Sequence, residues 1–452
     1  MIRQLVAVIT LCCGLSAAQG APIELSEPFT QSRPLLTRSE VRTTGKVFAL
    51  NAKGQSEPLD LSATAVLQFR SRRLAPSGRD AAALREAREF EIAQLDTTVA
   101  GHQTRTQLPA QLKRVVTTGQ RDGLLNYCPQ VLMTREALDL LDMPGDPLAL
   151  IAMLPQDSVE TGATWAAPDW AGQMLAGIDT ADAVKCDCTL TSANDQQVVI
   201  SIQATVSGQR LGSASTVTVT GTMHFSPVGK FISGASLTYA VKSEVGTINP
   251  GLEAQIVVNI TRQIAPEPGL LTDEYIASLP LEPNPAALEL VFDAIPWGLR
   301  LLHDRSWHLF QAVYEGQHPV AILRLMNSGS LICQCNIAPV TAAQPGQRTP
   351  PEQFEQDISQ SLGSRLQKLS EQEEIPLENG RFLYRVVAEG EVELKGDDKT
   401  LKLPMNWIYY LSTNADGRQT SFVFAVEPHL RETLADRDRQ LMMRLSYFGI
   451  PK

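Results

Sequence analysis

The chain has 452 residues, of which 43% are hydrophobic and 19% are charged, and its formal net charge is -10. This composition is ordinary for a soluble globular protein, and the acidic balance argues against general binding to nucleic acid or to anionic membranes. A length of 452 residues exceeds the usual single hydrophobic core, so two domains are expected.

The first twenty residues have the order of a secretory signal peptide. Arg3 precedes an apolar run from Leu5 to Leu15, and small residues from Ser16 to Ala21 follow. The apolar run is shorter than the ~20 residues that a membrane-spanning helix needs. We therefore expect a signal peptide over residues 1–20, cleaved after Ala18 or Gly20, no transmembrane anchor in the mature chain, and a periplasmic or cell-surface location.

The first domain is predicted over residues 46–265, after a flexible polar segment at 21–45. Strands are expected at 46–50 and 63–69, and a helix with a charged face at 80–95. Thr134 and Glu136 predict a short capped helix over 134–141. Four stretches rich in Val, Ile and Thr alternate apolar and polar residues, which predicts antiparallel strands with one buried face. These stretches are 197–206, 215–225, 231–241 and 253–264.

Prolines concentrate between residues 266 and 285, and this density resists both helix and central strand. We therefore place an interdomain linker at 266–285 and a second domain at 286–452. Its predicted order is three strands, a helix, three or more strands and a closing helix over 428–448. The first of these helices is expected to begin with Thr349 as its cap and Pro350 at its first position, and its apolar face runs from Phe354 to Leu369.

The predicted fold class is therefore α+β, with two domains that each pack an antiparallel sheet with helices.

Five cysteines remain after the signal peptide, four of them in two Cys-x-Cys pairs. On a strand, both sulfurs of such a pair project from the same face, and two pairs could supply four thiolates to a metal. However, the pairs fall in different predicted domains, and zinc ligands usually have two or more intervening residues. We therefore predict disulfide or thiol sites and no metal ligands at Cys186, Cys188, Cys333 and Cys335.

No segment carries a common catalytic or cofactor motif, so we predict no catalytic residue and no cofactor. His303, Asp304 and His308 offer an acid and a base within a short stretch. Neighbours along a strand alternate faces, however, and catalysis needs the groups to converge, so a structural role is favoured. A catalytic pair of isolated carboxylates would leave no local signature among 49 acidic residues.

The segment Leu132-Met133-Thr134-Arg135-Glu136-Ala137-Leu138-Asp139-Leu140-Leu141, followed by Leu154-Pro155 and Gly162-Ala163-Thr164-Trp165, resembles uncharacterised exported proteins of planctomycete bacteria. Those proteins carry a similar arrangement before an antiparallel sheet, and the resemblance implies bacterial export but no activity. The order of elements in the second domain resembles the PsbP-like fold, whose members typically bind proteins. By analogy, this resemblance favours a binding role.

The sequence therefore predicts an exported, non-catalytic binding or structural protein of the bacterial cell envelope, whose partner is a protein or an apolar ligand. One alternative is a carrier that holds an apolar ligand or lipid in the first-domain sheet. A deep apolar cavity would favour the carrier, and a packed core would count against it. The other alternative is a hydrolase without a motif, which a cleft lined by two carboxylates, or by His303, Asp304 and His308, would favour.

Overall fold

A computed structural model describes residues 22–28, 33–50, 56–76, 78, 80–246, 248–377, 380–395 and 400–449. The predicted signal peptide lies outside these residues. The described part of the chain contains 22 strands, arranged in three antiparallel sheets, and seven short α-helices. The predicted α+β class is therefore wrong, because long strands dominate the fold and helices cover only part of the sheets.

The larger sheet, which we call the N-terminal sheet, has twelve strands in the order β6-β5-β3-β2-β1-β12-β11-β10-β9-β8-β7, with β4 paired to β3. Its strands are β1 (Leu35–Leu50), β2 (Ser56–Arg73), β3 (Arg85–Val99), β4 (His102–Gln107), β5 (Arg114–Gln120), β6 (Gly123–Tyr127), β7 (Thr164–Ala166), β8 (Thr180–Ala193), β9 (Val198–Arg210), β10 (Ser213–Ser226), β11 (Phe231–Ser243) and β12 (Gly251–Ile264).

The four predicted strands between residues 197 and 264 are confirmed as β9 to β12. Along β9 the residues Val198, Ile200 and Ile202 are buried, while the residues between them are half-buried or exposed. Alternation at this period places one face of a strand in the core and the other in solvent.

Three short helices pack against the buried face of the N-terminal sheet and share its core: α1 (Arg135–Leu141), α2 (Pro147–Ala152) and α3 (Asp169–Ala176). The predicted capped helix is confirmed as α1, because the Thr134 hydroxyl accepts a hydrogen bond from the Ala137 N–H at 3.2 Å. A fourth helix, α4 (Asp273–Ser278), lies in the proline-rich segment.

The helix predicted over 80–95 is wrong, because most of this stretch forms β3. A bulge in the pairing of β2 with β3 inserts one residue between Phe90 and Ile92. The bulge places Phe90 and Ala93 in the same core although they are three positions apart, whereas Ala87 packs on the opposite face with Val116 and Leu271. Apolar residues from both faces of the strand therefore recur at a spacing that resembles a helix. The polar segment 21–45, expected to be flexible, is also ordered where it is described: residues from Leu35 onward form β1.

The seven strands of the C-terminal sheet run in the order β15-β16-β17-β21-β20-β19-β18, and a small sheet has the order β13-β14-β22. Their bounds are β13 (Leu290–Ala294), β14 (Leu299–His303), β15 (Trp307–Val313), β16 (Val320–Asn327), β17 (Ser330–Val340), β18 (Leu366–Pro376), β19 (Phe382–Lys395), β20 (Thr400–Thr413), β21 (Gln419–Val426) and β22 (Leu445–Tyr447).

The helices of this half are α5 (Pro351–Leu362), α6 (Arg431–Leu434) and α7 (Arg437–Met443). The predicted helix to Leu369 ends earlier, because Gly363 adopts a positive φ of 52° and the chain continues into β18. Thr349 does not cap α5; its hydroxyl accepts a hydrogen bond from Gln419 instead. The closing helix predicted over 428–448 is interrupted at Ala435, whose φ is also positive.

Among the residues with a described structure, no helix combines the length and the apolar character that crossing a membrane requires.

Candidate functional site

A cavity of about 660 Å³ lies where the N-terminal sheet meets the C-terminal sheet. We call it the interface cavity. Its walls on the N-terminal side are the β5–β6 hairpin, the end of α1 with the loop to α2, and the end of α3. The β9–β10 turn and residues of β11 and β12 complete this side. On the other side they are the start of β15 and the β16–β17 turn. This volume lies within the roughly 300–1,000 Å³ that is usual for ligand-binding clefts.

Two glycines let helical segments end at the wall of the cavity. Gly177 caps α3 in the left-handed conformation, at φ 64°, and a Cβ at this position would meet nothing within 4 Å. Gly145, at φ 79°, turns the loop between α1 and α2, and a Cβ there would lie 3.0 Å from Val258 Cγ1. The loop can therefore approach the strands only because it carries glycine at this point.

Two arginines join the two sheets at one end of the cavity. The Arg135 Nη2 donates to the carbonyls of Arg305 and Trp307, at 2.6 and 3.1 Å. The Arg305 Nη2 donates back to the Asn126 carbonyl at 2.7 Å, and its Nε donates to the Leu288 carbonyl at 3.0 Å. Both guanidinium groups therefore donate their hydrogen bonds to backbone oxygens, and the carboxylate paired with Arg135, that of Asp139, lies 4.0 Å away.

The remaining walls of the interface cavity are acidic. Five aspartates line it against three arginines, Arg135, Arg210 and Arg305. These aspartates are Asp122, Asp139, Asp142, Asp146 and Asp179.

The aspartates differ in how well they are compensated. Asp146 is held by both Nη atoms of Arg88, at 2.6 and 2.7 Å, and Asp179 accepts from the Leu211 N–H at 2.6 Å. Asp139 lies 4.0 Å from Arg135 Nη1. Within the described part of the chain, no hydrogen bond or close ion pair engages the Asp142 carboxylate. Asp139 and Asp142 therefore carry charge that the protein itself leaves largely unpaired.

The enclosure of these carboxylates changes their acidity. The pKa of Asp139 is raised to about 6, chiefly by burial; Arg135 opposes this rise, and repulsion from Asp142 and Glu136 adds to it. Burial also raises the pKa of Asp142 and of Asp179, each against a lowering effect of Arg210. The Asp139 side chain is still 65% exposed, so water reaches it inside the cavity. The cavity therefore holds ionisable carboxylates that are short of positive charge.

We expect Asp139→Asn to stabilise the protein at about pH 7.5 and to have little effect at about pH 4.5. The pKa of Asp139 in the folded state lies above that of an unfolded chain, so the folded state binds this proton more tightly. Ionisation therefore lowers stability as the pH rises from about 4 through 6. Because solvent reaches the carboxylate, a rise in melting temperature of only about 1–2 °C is expected at the higher pH. Equal effects at both pH values would contradict the raised pKa, and Asp157→Asn, at an exposed site outside the cavity, is the control.

Two buried donors in the cavity wall have no partner among the described residues. The Asn126 side chain is 1% exposed, and its Nδ2 is unpaired while its Oδ1 accepts from Thr117. Tyr239 is also 1% exposed, and no acceptor receives its hydroxyl proton. Both residues line the interface cavity. Buried donors without acceptors are costly in a folded protein, so they indicate where a ligand or water would bind.

The predicted cysteine sites lie away from this cavity. All four are buried free thiols, and so is Cys128. Cys186 and Cys188 belong to the core of the N-terminal sheet, where the Cys186 Sγ lies 3.5 Å from the Met153 Sδ. Cys333 and Cys335 belong to the separate core of the C-terminal sheet. Over the described ranges, no group of three or more His, Cys, Asp or Glu side chains is placed to hold a metal ion.

The stretch from His303 to His308 does not form an acid–base unit in the described structure. His303 is buried, and its Nδ1 lies 2.8 Å from the carbonyl oxygen of Asp304. The Asp304 carboxylate accepts from the Ser306 N–H in a turn. Burial, Arg135 and His303 lower the pKa of His308 to about 3, so His308 lines the cavity as a neutral group.

The sequence reading missed the aspartates of the cavity. One signal was available: Asp139 and Asp142 stand at the C-terminal end of α1, where the helix dipole disfavours negative charge. Asp122, Asp179 and Arg305 carried no such signal, since they come from distant parts of the chain and meet only in the fold.

No protein-family model matches the chain, and no curated protein sequence is significantly similar to it. The expected likeness to planctomycete proteins therefore has no support from sequence. Among solved structures, that of lipovitellin, determined in a study of lipid–protein interactions, is 9% identical to this chain with a TM-score of 0.31. It covers 53% of this chain, and this chain spans only 26% of lipovitellin.

Two further solved structures show weak similarity. PsbP from Synechocystis is 14% identical with a TM-score of 0.27, over 36% of this chain and 94% of PsbP. This result agrees with the expected resemblance to PsbP at a weak level. The MucA/MucB complex of Pseudomonas aeruginosa is 11% identical with a TM-score of 0.14, over 92% and 95% of the two chains. All three TM-scores are below 0.5, so these similarities do not indicate a function for this chain.

Proposed function

We propose that this chain is an exported, non-catalytic binding protein of the bacterial cell envelope, and that its binding site is the interface cavity. We further propose that the ligand carries positive charge. The observation that carries this proposal is a cavity of about 660 Å³ with five aspartates in its walls, of which Asp139 and Asp142 lack adequate partners.

A cationic ligand would supply what the walls lack. Asp139, Asp142 and Asp179 all have raised pKa values, which means that their ionised forms are poorly compensated in the unliganded protein. A bound ammonium or guanidinium group would pair with them inside the cavity, where it would displace water and charge–charge interactions would be less screened than on the open surface. Apolar side chains in the same walls, including Met143, Met174 and Leu309, would contact the rest of the ligand.

We expect a blocked octapeptide of alternating lysine and valine to bind the full chain, and the matching glutamate–valine octapeptide not to bind. The double variant Asp139→Asn/Asp142→Asn should weaken binding by about tenfold or more, because charged hydrogen bonds contribute roughly 1.5–3 kcal/mol each. Affinity for the lysine peptide should also fall as the pH drops below about 6, since Asp139 becomes protonated. Isothermal titration calorimetry at several pH values measures all three effects.

The matched control is Asp157→Asn, which removes one negative charge from an exposed site outside the cavity. Its affinity for the lysine peptide should equal that of the parent protein. If the peptide does not bind, or if the double variant binds it as tightly as the control does, the cavity is not a site for cations.

The structure counts against the apolar carrier considered from sequence. The strands that would hold the ligand present a packed face, on which Val198, Ile200, Val217, Val219 and Val258 are fully buried. α1, α2 and α3 contribute side chains to the same core, so the space that a lipid chain would need there is filled.

One observation favours a second candidate, the hydrolase. The interface cavity is a cleft lined by more than two carboxylates, and a pKa of about 6 suits Asp139 to act as a general acid. Binding is the better-supported function, because catalytic carboxylates are normally oriented by hydrogen bonds, and no bond in the described structure orients Asp142. Turnover of glycoside or ester substrates that Asp139→Asn abolishes would favour the hydrolase.

A further inference from the structure

The interface cavity is bordered by strand edges as well as by charge. Among the described residues, β6 is the last strand of the N-terminal sheet and pairs only with β5. Within the same ranges, β15 is the last strand of the C-terminal sheet and pairs only with β16. Residues of both strands line the cavity. An outer strand edge presents unpaired N–H and C=O groups, which can accept a further strand.

The pairing of β5 with β6 shows which backbone groups face outward. Gln120 pairs with Gly123 across a two-residue turn, so hydrogen-bonded pairs recur at every second position from there. The N–H and C=O groups of Leu124 and Asn126 therefore point away from β5. The contact between Arg305 and the Asn126 carbonyl agrees with this direction.

Space is available over the start of this strand. A Cβ built on Gly123, at the start of β6, would meet nothing within 4 Å. The Leu124 side chain packs against the core of the N-terminal sheet, whereas Leu125 and Tyr127 pack on the opposite face, against the cluster that includes Leu271. Leu124 and Asn126 therefore turn their side chains to the same face of β6, and both line the cavity.

The polar groups of the cavity select among cations. The unpaired Asn126 amide and Tyr239 hydroxyl are donors, and they require acceptors from a ligand. A polyamine would pair with the aspartates but carries no acceptor for these donors. A peptide with lysine or arginine side chains supplies positive charge for the aspartates and backbone carbonyls for the donors.

We propose that the ligand is an extended basic peptide segment of a partner protein, which adds as a strand to the outer edge of β6 inside the interface cavity. This inference rests on the proposed function and specifies its partner. Main-chain hydrogen bonds to the N–H and C=O of Leu124 and to the N–H of Asn126 would fix the register of the peptide, since the Asn126 carbonyl already accepts from Arg305. Alternate basic side chains would reach the aspartates.

The test uses the lysine–valine octapeptide and two N-methylated forms of it, one methylated at two lysine positions and one at two valine positions. A strand that pairs with a single neighbour donates only alternate N–H groups to it. We therefore expect one methylated form to bind about tenfold more weakly and the other to bind within about threefold of the parent peptide. The peptide should also slow hydrogen exchange of the Leu124 amide, and spermidine should not.

A variant of the protein tests the donors separately. Tyr239→Phe removes a buried hydroxyl whose proton has no acceptor among the described residues, without changing the ring. It should lower the affinity for the lysine peptide by about fivefold, the equivalent of one hydrogen bond, and leave the affinity for spermidine unchanged. A cooperative thermal unfolding transition in the absence of peptide shows that the variant folds.

The outcomes separate the two proposals. If the lysine peptide binds through Asp139 and Asp142 but both methylated forms bind equally well, or if spermidine binds as tightly as the peptide, strand addition is wrong and cation binding stands. If the lysine peptide does not bind, or binds without regard to the aspartates, both proposals fail.

Discussion

Arg88→Met is expected to lower the free energy of unfolding by about 3–5 kcal/mol, because it leaves two carboxylates without their partner in the interior. The Arg88 Nε donates to Glu86 at 2.6 Å, and its two Nη atoms donate to Asp146. The side chains of Arg88 and Glu86 are 2% and 0% exposed. The guanidinium also lies over the Phe69 ring, at 4.8 Å from its centre. Urea denaturation followed by circular dichroism measures the effect.

The matched control for Arg88 is Arg38→Met, which breaks an exposed pair with Glu40 and should change stability by less than about 1 kcal/mol. Adding Glu86→Gln to Arg88→Met should recover part of the loss, since it removes one of the two uncompensated charges. A loss for Arg88→Met as small as that of the control would show that water or another cation compensates Glu86 and Asp146.

Arg305→Ala is expected to destabilise the protein by roughly 3 kcal/mol and to uncouple the two sheets, since it removes two charged hydrogen bonds. These bonds reach the Asn126 and Leu288 carbonyls, and the first of them spans the interface. Differential scanning calorimetry should then show a lower and broader transition, or two separate transitions, in place of the parent one. The affinity of the variant for the lysine peptide should rise, because the Asn126 carbonyl becomes available at the strand edge.

Arg300→Ala controls for the loss of an arginine in the same region. Arg300 forms an exposed ion pair with Asp293 within the small sheet, so its loss should change the free energy of unfolding by less than about 1 kcal/mol. If Arg305→Ala behaves like Arg300→Ala, the link across the interface contributes little, and the walls of the cavity are held by packing instead.

The two largest effects are expected at arginines that the sequence reading did not single out. Arg88 lies in a stretch predicted as a helix with a solvated charged face, and it is instead buried in β3. Local periodicity could not reveal this, because the partner Asp146 is 58 residues away and apolar residues on both faces of β3 recur at a helix-like spacing. A charge is tolerated in the interior only when the fold supplies its partner.

Local sequence patterns could not reveal the candidate site either. The cavity combines aspartates from the β5–β6 turn, from α1 and its loop, and from the end of α3 with an arginine that follows β14. None of these segments has a recognisable motif by itself. Their chemistry depends on enclosure, which raises the pKa of Asp139 to about 6, and enclosure is a property of the assembled sheets.

The sequence by itself determined the elements whose signals are local. Alternating Val, Ile and Thr defined β9 to β12, and Thr134 defined the start of α1, because side-chain period and capping act over a few residues. Tertiary structure decided where helical patterns end, which charges are buried, and that strands dominate the fold. It also decided which aspartates share a cavity, because pairing and burial depend on contacts between residues far apart in the chain.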